Sequence, residues 1–169
     1  MADNDYVFDH NLDGSGFGQS TAESCWYACY ALLYEWKGRP RASIRERIEK
    51  AKLDYRDYYR NGLPVTDFPK TRNALGLTSW NGGYIKSIAD DFQALCLLLK
   101  GYGPIWCAFS KPSAHIVVIT GANSTRGNIH ILNPWNNING NDADSQYLTP
   151  SMFAHRVNPE ASAVGQAFM

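Results

Sequence analysis

With 169 residues, 44% of them hydrophobic and 13% aromatic, the chain has enough apolar material for one packed domain or two small lobes around a cleft. Sixteen basic side chains balance sixteen acidic ones, so the charge carries no footprint of a nucleic-acid partner or an anionic membrane surface. No apolar run approaches the roughly 18 residues that a membrane span requires.

In chain order, residues 1–18 read as a loosely structured lead-in that closes on the Gly-rich stretch Gly14–Gly18. Met1 to Asn11 is polar and acidic, with neither the basic n-region nor the apolar h-region of a secretory signal. Within it, Asp9, Asn11, Asp13 and Gly14 reproduce the first half of a calcium loop. The twelfth position is Ser20 rather than a bidentate Glu and no entry helix precedes, so an Asx-rich turn is expected and no metal is assigned.

Cys25–Trp36 reads as a helix apolar on nearly every face, which places it in the middle of the protein, with Gly38 and Pro40 ending it. Two N-caps compete. Ser20 with Glu23 fits a capping box, but Ser24 leaves the Gln19 loop free to approach the thiol and is preferred. Ser43 to about Tyr59 reads as a second helix, with Ile44, Ile48, Ala51 and Tyr55 at helical spacing and a solvated charged face. A shorter helix is expected after Asp67, and another over Ser87–Lys100.

Ile105–Phe109, His115–Thr120 and Asn128–Leu132 are β-branched-rich runs separated by turn residues, hence strands. Asn136–Asp144 reads as a polar loop at the cleft rim. Helices followed by strands predict an α+β fold in one domain over residues 1–169, mainly helical over 19–100 and mainly β over 101–169.

Four cysteines, at 25, 29, 96 and 107, lack zinc-site spacing and are too sparse for a disulfide scaffold, which predicts synthesis in a reducing cytosol. Cys29, Cys96 and Cys107 are expected in the core. Cys25, at a helix start where the macrodipole favours a thiolate, is the candidate nucleophile. A hairpin across a Gly121–Gly127 turn would set Thr120 opposite Asn128 and therefore His115 opposite Asn133. Directly opposed residues share a sheet face, so Asn133 could accept the imidazole N–H, whereas His130 would point to the other face. His10 and His155 are read as surface residues. Trp80, Tyr84, Trp106 and Phe109 are apolar candidates for a subsite.

Gln19, Ser24-Cys25-Trp26, His115 and Asn133-Pro134-Trp135 resemble, in chain order, the active-site blocks of papain-like cysteine peptidases. The resemblance implies a papain-like fold, with a central nucleophile helix packed on a C-terminal antiparallel sheet. It makes Cys25 the nucleophile, His115 the general base and acid, and Asn133 its orienting partner. Trp135 would shield that contact, with Trp26 supporting the nucleophile, and the Gln19 amide and the Cys25 N–H would form the oxyanion hole. The chain departs from the family in Ala22-Glu23-Ser24 before the nucleophile and in the short interval to His115. The compact length is similar to a bacterial branch that includes bacteriocin-leader peptidases and proteases delivered as effectors or toxins. The expectation is a cofactor-free endopeptidase acting on a protein substrate, delivered into another cell and restrained by an immunity protein in its producer. The same triad would serve a deamidase, transglutaminase or other acyl transferase, and the fold without turnover would serve as a peptide-binding module.

Overall fold

The computed structural model describes residues 5–135 and 141–169. The helices are α1 (Cys25–Trp36), α2 (Ala42–Lys50), α3 (Tyr55–Asn61), α4 (Phe68–Leu75), α5 (Gly82–Ile88), α6 (Phe92–Tyr102) and α7 (Pro150–Arg156). The strands are β1 (Val7–Asp9), β2 (Thr78–Trp80), β3 (Ile105–Phe109), β4 (His115–Asn123), β5 (Asn128–Asn133), β6 (Asp144–Leu148) and β7 (Gly165–Ala167). The fold is α+β, as expected, with helices preceding most of an antiparallel sheet.

Helix α1 is the centre of the packing. Trp26, Tyr30, Leu33 and Tyr34 are fully buried, and each large apolar side chain removed from water stabilises the fold by about 1.5–3 kcal/mol. The helix lies on β3 and β4. Tyr30 stacks on Trp106 with ring centroids 4.9 Å apart, and its hydroxyl donates to Gln166 Oε1 at 2.7 Å, so the polar tip of a buried tyrosine is satisfied. Trp26 Nε1 donates to the Tyr58 carbonyl at 3.0 Å, and the Trp26 carbonyl accepts from Trp106 Nε1 at 3.2 Å. These bonds fix the first turn of the helix against α3 and β3.

Both of the long helices expected from apolar spacing are split. Lys52 adopts a left-handed φ of 61° after α2, and the Asp54 side chain accepts from Asp57 N at 3.0 Å to start α3. Asp91 does the same for α6, accepting from Ala94 N at 3.0 Å. An N-terminal cap of this kind is worth about 1 kcal/mol, enough to outweigh continuous apolar periodicity through a short break.

The sheet is antiparallel throughout and runs β2-β7-β3-β4-β5-β6. Strand β3 is buried at all five positions, and β4 at all but its two ends. Strand β1 pairs with β4 at Gly121–Asn123, beyond the end of β3. The segment expected to be a loose lead-in therefore contributes a strand. Gly121 permits this close approach, since a Cβ there would lie 2.5 Å from the Asp9 carboxyl.

The β4–β5 hairpin differs from the symmetric one expected. The turn is Ser124–Gly127, and Gly121–Asn123 belong to the strand. Asn123 opposes Asn128 and Gly121 opposes His130, but Ile119 opposes Ile131 and Val118 opposes Leu132. One extra residue, the fully buried Thr120, bulges out between the two registers.

His130 sits on the far face, as the alternation required. Its Nδ1 lies 2.6 Å from Asp9 Oδ2 and 3.0 Å from Thr120 Oγ1, and its Nε2 lies 2.5 Å from Ser145 Oγ. Tyr147 stacks flat on the ring at 4.5 Å. The order Asp9–His130–Ser145 has the connectivity of a nucleophilic triad, but the adjacent cavity of about 270 Å³ is lined by Asp9, His130 and Tyr147 and not by Ser145. The cluster acts as a clamp that ties β1, β4, β5 and β6 together.

Candidate active site

Cys25 is the first residue of α1. Ser24 occupies the N-cap position but its hydroxyl makes no capping bond. It contacts Thr21 N at 3.1 Å and the Thr21 carbonyl at 3.2 Å, which closes the preceding loop on itself. Burial pushes the Cys25 thiol above the ordinary range, an effect that the backbone N–H groups of Ile116 and Trp26 offset only in part. The lowered thiol pKa expected from the helix start is thus overridden by desolvation. The other three cysteines are buried in the core.

His115 opens β4 and Asn133 closes β5, both half-buried. His115 Nε2–H donates to Asn133 Oδ1 at 2.6 Å. In a neutral imidazole this leaves the Nδ1 lone pair as the base. Burial pushes the His115 pKa down, against the opposing effect of the Asn133 bond. Desolvation therefore works in the direction of the uncharged form at both the thiol and the imidazole.

Asn133 is itself held. Its Oδ1 also accepts from Trp135 N at 3.0 Å, and its Nδ2 reaches Gln146 Oε1 at 3.4 Å. The contact was expected to be with an Asn directly opposite His115. The register instead makes it a diagonal one along the same face, which long side chains span. Trp135 is 46% exposed, and it engages the site through its backbone N–H and as part of the cavity wall.

Gln19 is 5% exposed and sits on a loop tied down at several points. Gln19 N donates to the Pro134 carbonyl at 2.9 Å, Gly18 N to Asn141 O at 3.1 Å, and Ala143 N to Gly14 O at 2.8 Å. Gly14 is needed for that approach, because a Cβ would sit 2.3 Å from the Ala143 carbonyl oxygen. The Gly-rich stretch thus fastens the Gln19 loop to the chain that follows Asn133. The side-chain amide was expected to be free for an oxyanion. Its Nε2 instead donates to the carbonyls of Thr21 at 2.8 Å and Ala22 at 3.0 Å, while Oε1 is buried with no partner. The reverse orientation would set Oε1 against two carbonyl oxygens, so the partners dictate this one.

Two adjoining cavities meet at His115. One, of about 280 Å³, is walled by Cys25, Trp26, Leu63, Val65, Phe68 and Ile116 among others. The second, of about 650 Å³, is walled by Asn133, Trp135, Gln146, Lys111 and Arg156 among others. Ala22, Glu23, Phe109, Ala114 and His115 line both. Of the apolar subsite candidates, only Phe109 reaches the cleft. Trp106 is fully buried, Trp80 packs edge-on against Tyr102, and Tyr84 is exposed on α5. Residues 136–140 of the polar rim loop lie outside the described residues. Sequence reasoning missed Gln146, which belongs to a mostly exposed strand without apolar alternation, and the 61–65 wall, which has no regular periodicity to read.

His10 is half-buried rather than at the surface; its Nε2–H donates to the Leu99 carbonyl at 2.9 Å. His155 is exposed. Asp9 Oδ1 accepts from Asn11 N at 2.7 Å while Oδ2 faces His130, and Asp13 Oδ1 accepts from Ser15 N at 2.9 Å, the Asx turns expected of this stretch. Among the described residues, no group of three or more His, Cys, Asp or Glu side chains is arranged to hold a metal.

A protein-family model described as papain-like cysteine protease AvrRpt2 matches residues 9–149, a span that includes Gln19, Cys25, His115 and Asn133. No curated protein matches the chain.

Proposed function

The chain belongs to the papain-like cysteine protease AvrRpt2 family, and on that premise we propose that it is an endopeptidase working through Cys25, His115 and Asn133. The reading rests on one observation above the others. A partly buried thiol at a helix start and an imidazole oriented by a 2.6 Å bond to Asn133 line the same cavity. Those are the roles that thiol catalysis requires.

We take both groups as uncharged at rest, the direction in which burial pushes each of them. As Cys25 Sγ attacks the substrate carbonyl, its proton passes to His115 Nδ1. Asn133 Oδ1 stabilises the imidazolium through Nε2–H. Charge that develops on the carbonyl oxygen is met by the Cys25 backbone N–H. It is also met by the Gln19 amide, which exchanges a bond to a loop carbonyl for one to the oxyanion and so binds the transition state in preference to the ground state. The tetrahedral intermediate collapses, the C–N bond breaks, and the leaving amine takes the proton from Nδ1. Water, deprotonated by His115, then hydrolyses the thioester and frees Cys25.

The biological role proposed is that of a bacterial effector or toxin delivered into another cell, held in check by a cognate inhibitor in the cell that makes it. The family description supports a protease of this branch, and the cleft is an exposed surface for such an inhibitor to cover. Mapping of new protein N-termini in cells expressing the wild type, against a Cys25→Ala control, tests the activity. New N-termini confined to the wild type are expected. Unchanged N-termini with a mass gain of about 1 Da on glutamine residues, the signature of deamidation through the same thioacyl chemistry, would overturn the endopeptidase reading.

A further inference from the structure

The two cavities differ in charge as well as in size, and this has a consequence for the substrate. Resting on the proposed protease chemistry, we infer that the cleft selects peptides with an acidic residue among the first three positions after the scissile bond, recognised by Lys111 and Arg156.

The direction of the peptide follows from the mechanism. The acyl portion remains on Cys25, which lines the smaller cavity. The leaving amine must receive its proton from His115, so the chain beyond the scissile bond passes over His115 into the cavity walled by Asn133 and Trp135. That larger cavity has two cations on its wall. Lys111 comes from the β3–β4 connection and Arg156 from the end of α7. Their backbones are joined: Ser110 N and Lys111 N donate to the Arg156 carbonyl at 2.8 and 3.4 Å, and Phe109 bridges to Val157. The two cations therefore stand on one fixed rim.

Neither has an acidic partner among the described residues, whose ion pairs are Arg41–Glu35, Arg45–Glu49, Lys70–Asp67 and His130–Asp9. Two acids come near. Glu23 lines both cavities, but its carboxylate leans the other way, 3.1 Å from where a Cβ of Gly62 would stand. Asp144 lies opposite Asn133 in the sheet and accepts from Gln146 Nε2 at 3.3 Å without lining the cavity. The cleft thus runs from an apolar wall with Glu23 at one end to an unneutralised basic rim at the other. A substrate carboxylate completes that rim, whereas a lysine there meets two like charges.

The test digests a synthetic peptide mixture, randomised on both sides of the cut, with wild type and with the Lys111→Glu/Arg156→Glu variant. Cleaved bonds are read by mass spectrometry, and enzyme is normalised by thiol titration of Cys25. The wild type should enrich Asp and Glu over Lys and Arg by about tenfold at one of the first three positions after the cut, the size expected of two partly exposed charge pairs. That preference should shrink at high salt and reverse in the double variant. Cleavage with no acidic enrichment, or a preference that survives charge reversal, overturns this inference and leaves the protease reading standing. An absence of any cleaved bond beyond the Cys25→Ala control overturns both.

Discussion

His115 and Asn133 share a face of the sheet because Thr120 bulges out of β4 between them. On the turn side of the bulge Gly121 opposes His130; had that register continued, Asn133 would have opposed Val118 and faced away from His115. One inserted residue restores the alternation and brings the two side chains to 2.6 Å. Thr120 and His130 share a hydrogen bond at the bulge, so the clamp on the far face of the sheet and the His115–Asn133 pair on the near face are set by the same irregularity.

That relationship predicts a purely structural role for His130. Replacing it by Ala leaves Asp9, Thr120 and Ser145 without their shared partner and removes the ring under Tyr147. The expected loss is about 1–3 kcal/mol of folding stability, measured as a lower urea midpoint, with turnover per folded molecule within a few-fold of wild type. His115→Ala should instead lower kcat by several orders of magnitude at unchanged stability. A folded but inactive His130 variant would contradict the assignment.

The resting protonation state is open to a direct check. Burial raises the Cys25 thiol and lowers His115, and both shifts favour uncharged forms. Alkylation of Cys25 by iodoacetamide should therefore climb with pH through the alkaline range, and His115→Ala should leave that profile in place. Cys29, Cys96 and Cys107 should react later, once the fold opens. A plateau of rapid alkylation at low pH, abolished by His115→Ala, would show a thiolate–imidazolium pair instead.

Gln19 carries the oxyanion assignment. Removing a donor that acts in the transition state costs about 10²–10³ in kcat, or roughly 3–4 kcal/mol. Gln19→Ala should produce a loss of that size with little change in the rate of Cys25 alkylation, which builds no oxyanion. A kcat within about threefold of wild type would mean that the amide never leaves the carbonyls of Thr21 and Ala22, and that its place is in holding the loop.

Much of this candidate site could be read from residue order, because Cys25, His115 and Asn133 each lie at the end of an element with strong periodicity. The apolar run after Cys25 and the β-branched runs beginning at His115 and ending near Asn133 marked those ends. The pairing of His115 with Asn133 was reached through a symmetric register that the protein does not use. Parity survived only because the true register near the site differs by an even number of residues. Three-residue strands such as β1 and β7 were missed, since their pairing is decided by distant partners rather than local pattern. The Gln19 contacts were beyond sequence reasoning for a similar reason: whether an amide faces a cleft or its own loop depends on carbonyls that the loop's conformation presents.

Asn133 offers the sharpest probe of the proposed role of His115. Asn133→Asp retains an oxygen for His115 Nε2–H and for Trp135 N, and Gln146 can turn its amide to donate to the second carboxylate oxygen. What changes is charge. In the wild type, burial holds the His115 pKa down, so the imidazole is neutral at neutral pH and activity is lost only as the pH falls through that lowered value. A carboxylate at hydrogen-bonding distance favours the imidazolium and raises the pKa. The ascending limb of kcat/KM should therefore move to higher pH, while Asn133→Ala, which loses the orienting bond without adding charge, should depress activity across the profile. Proton titration of the His115 ring by NMR should move with the kinetic limb. If the limb stays in place in Asn133→Asp while the ring titration shifts, the group that controls activity is not His115, and the base must be sought elsewhere along the cleft.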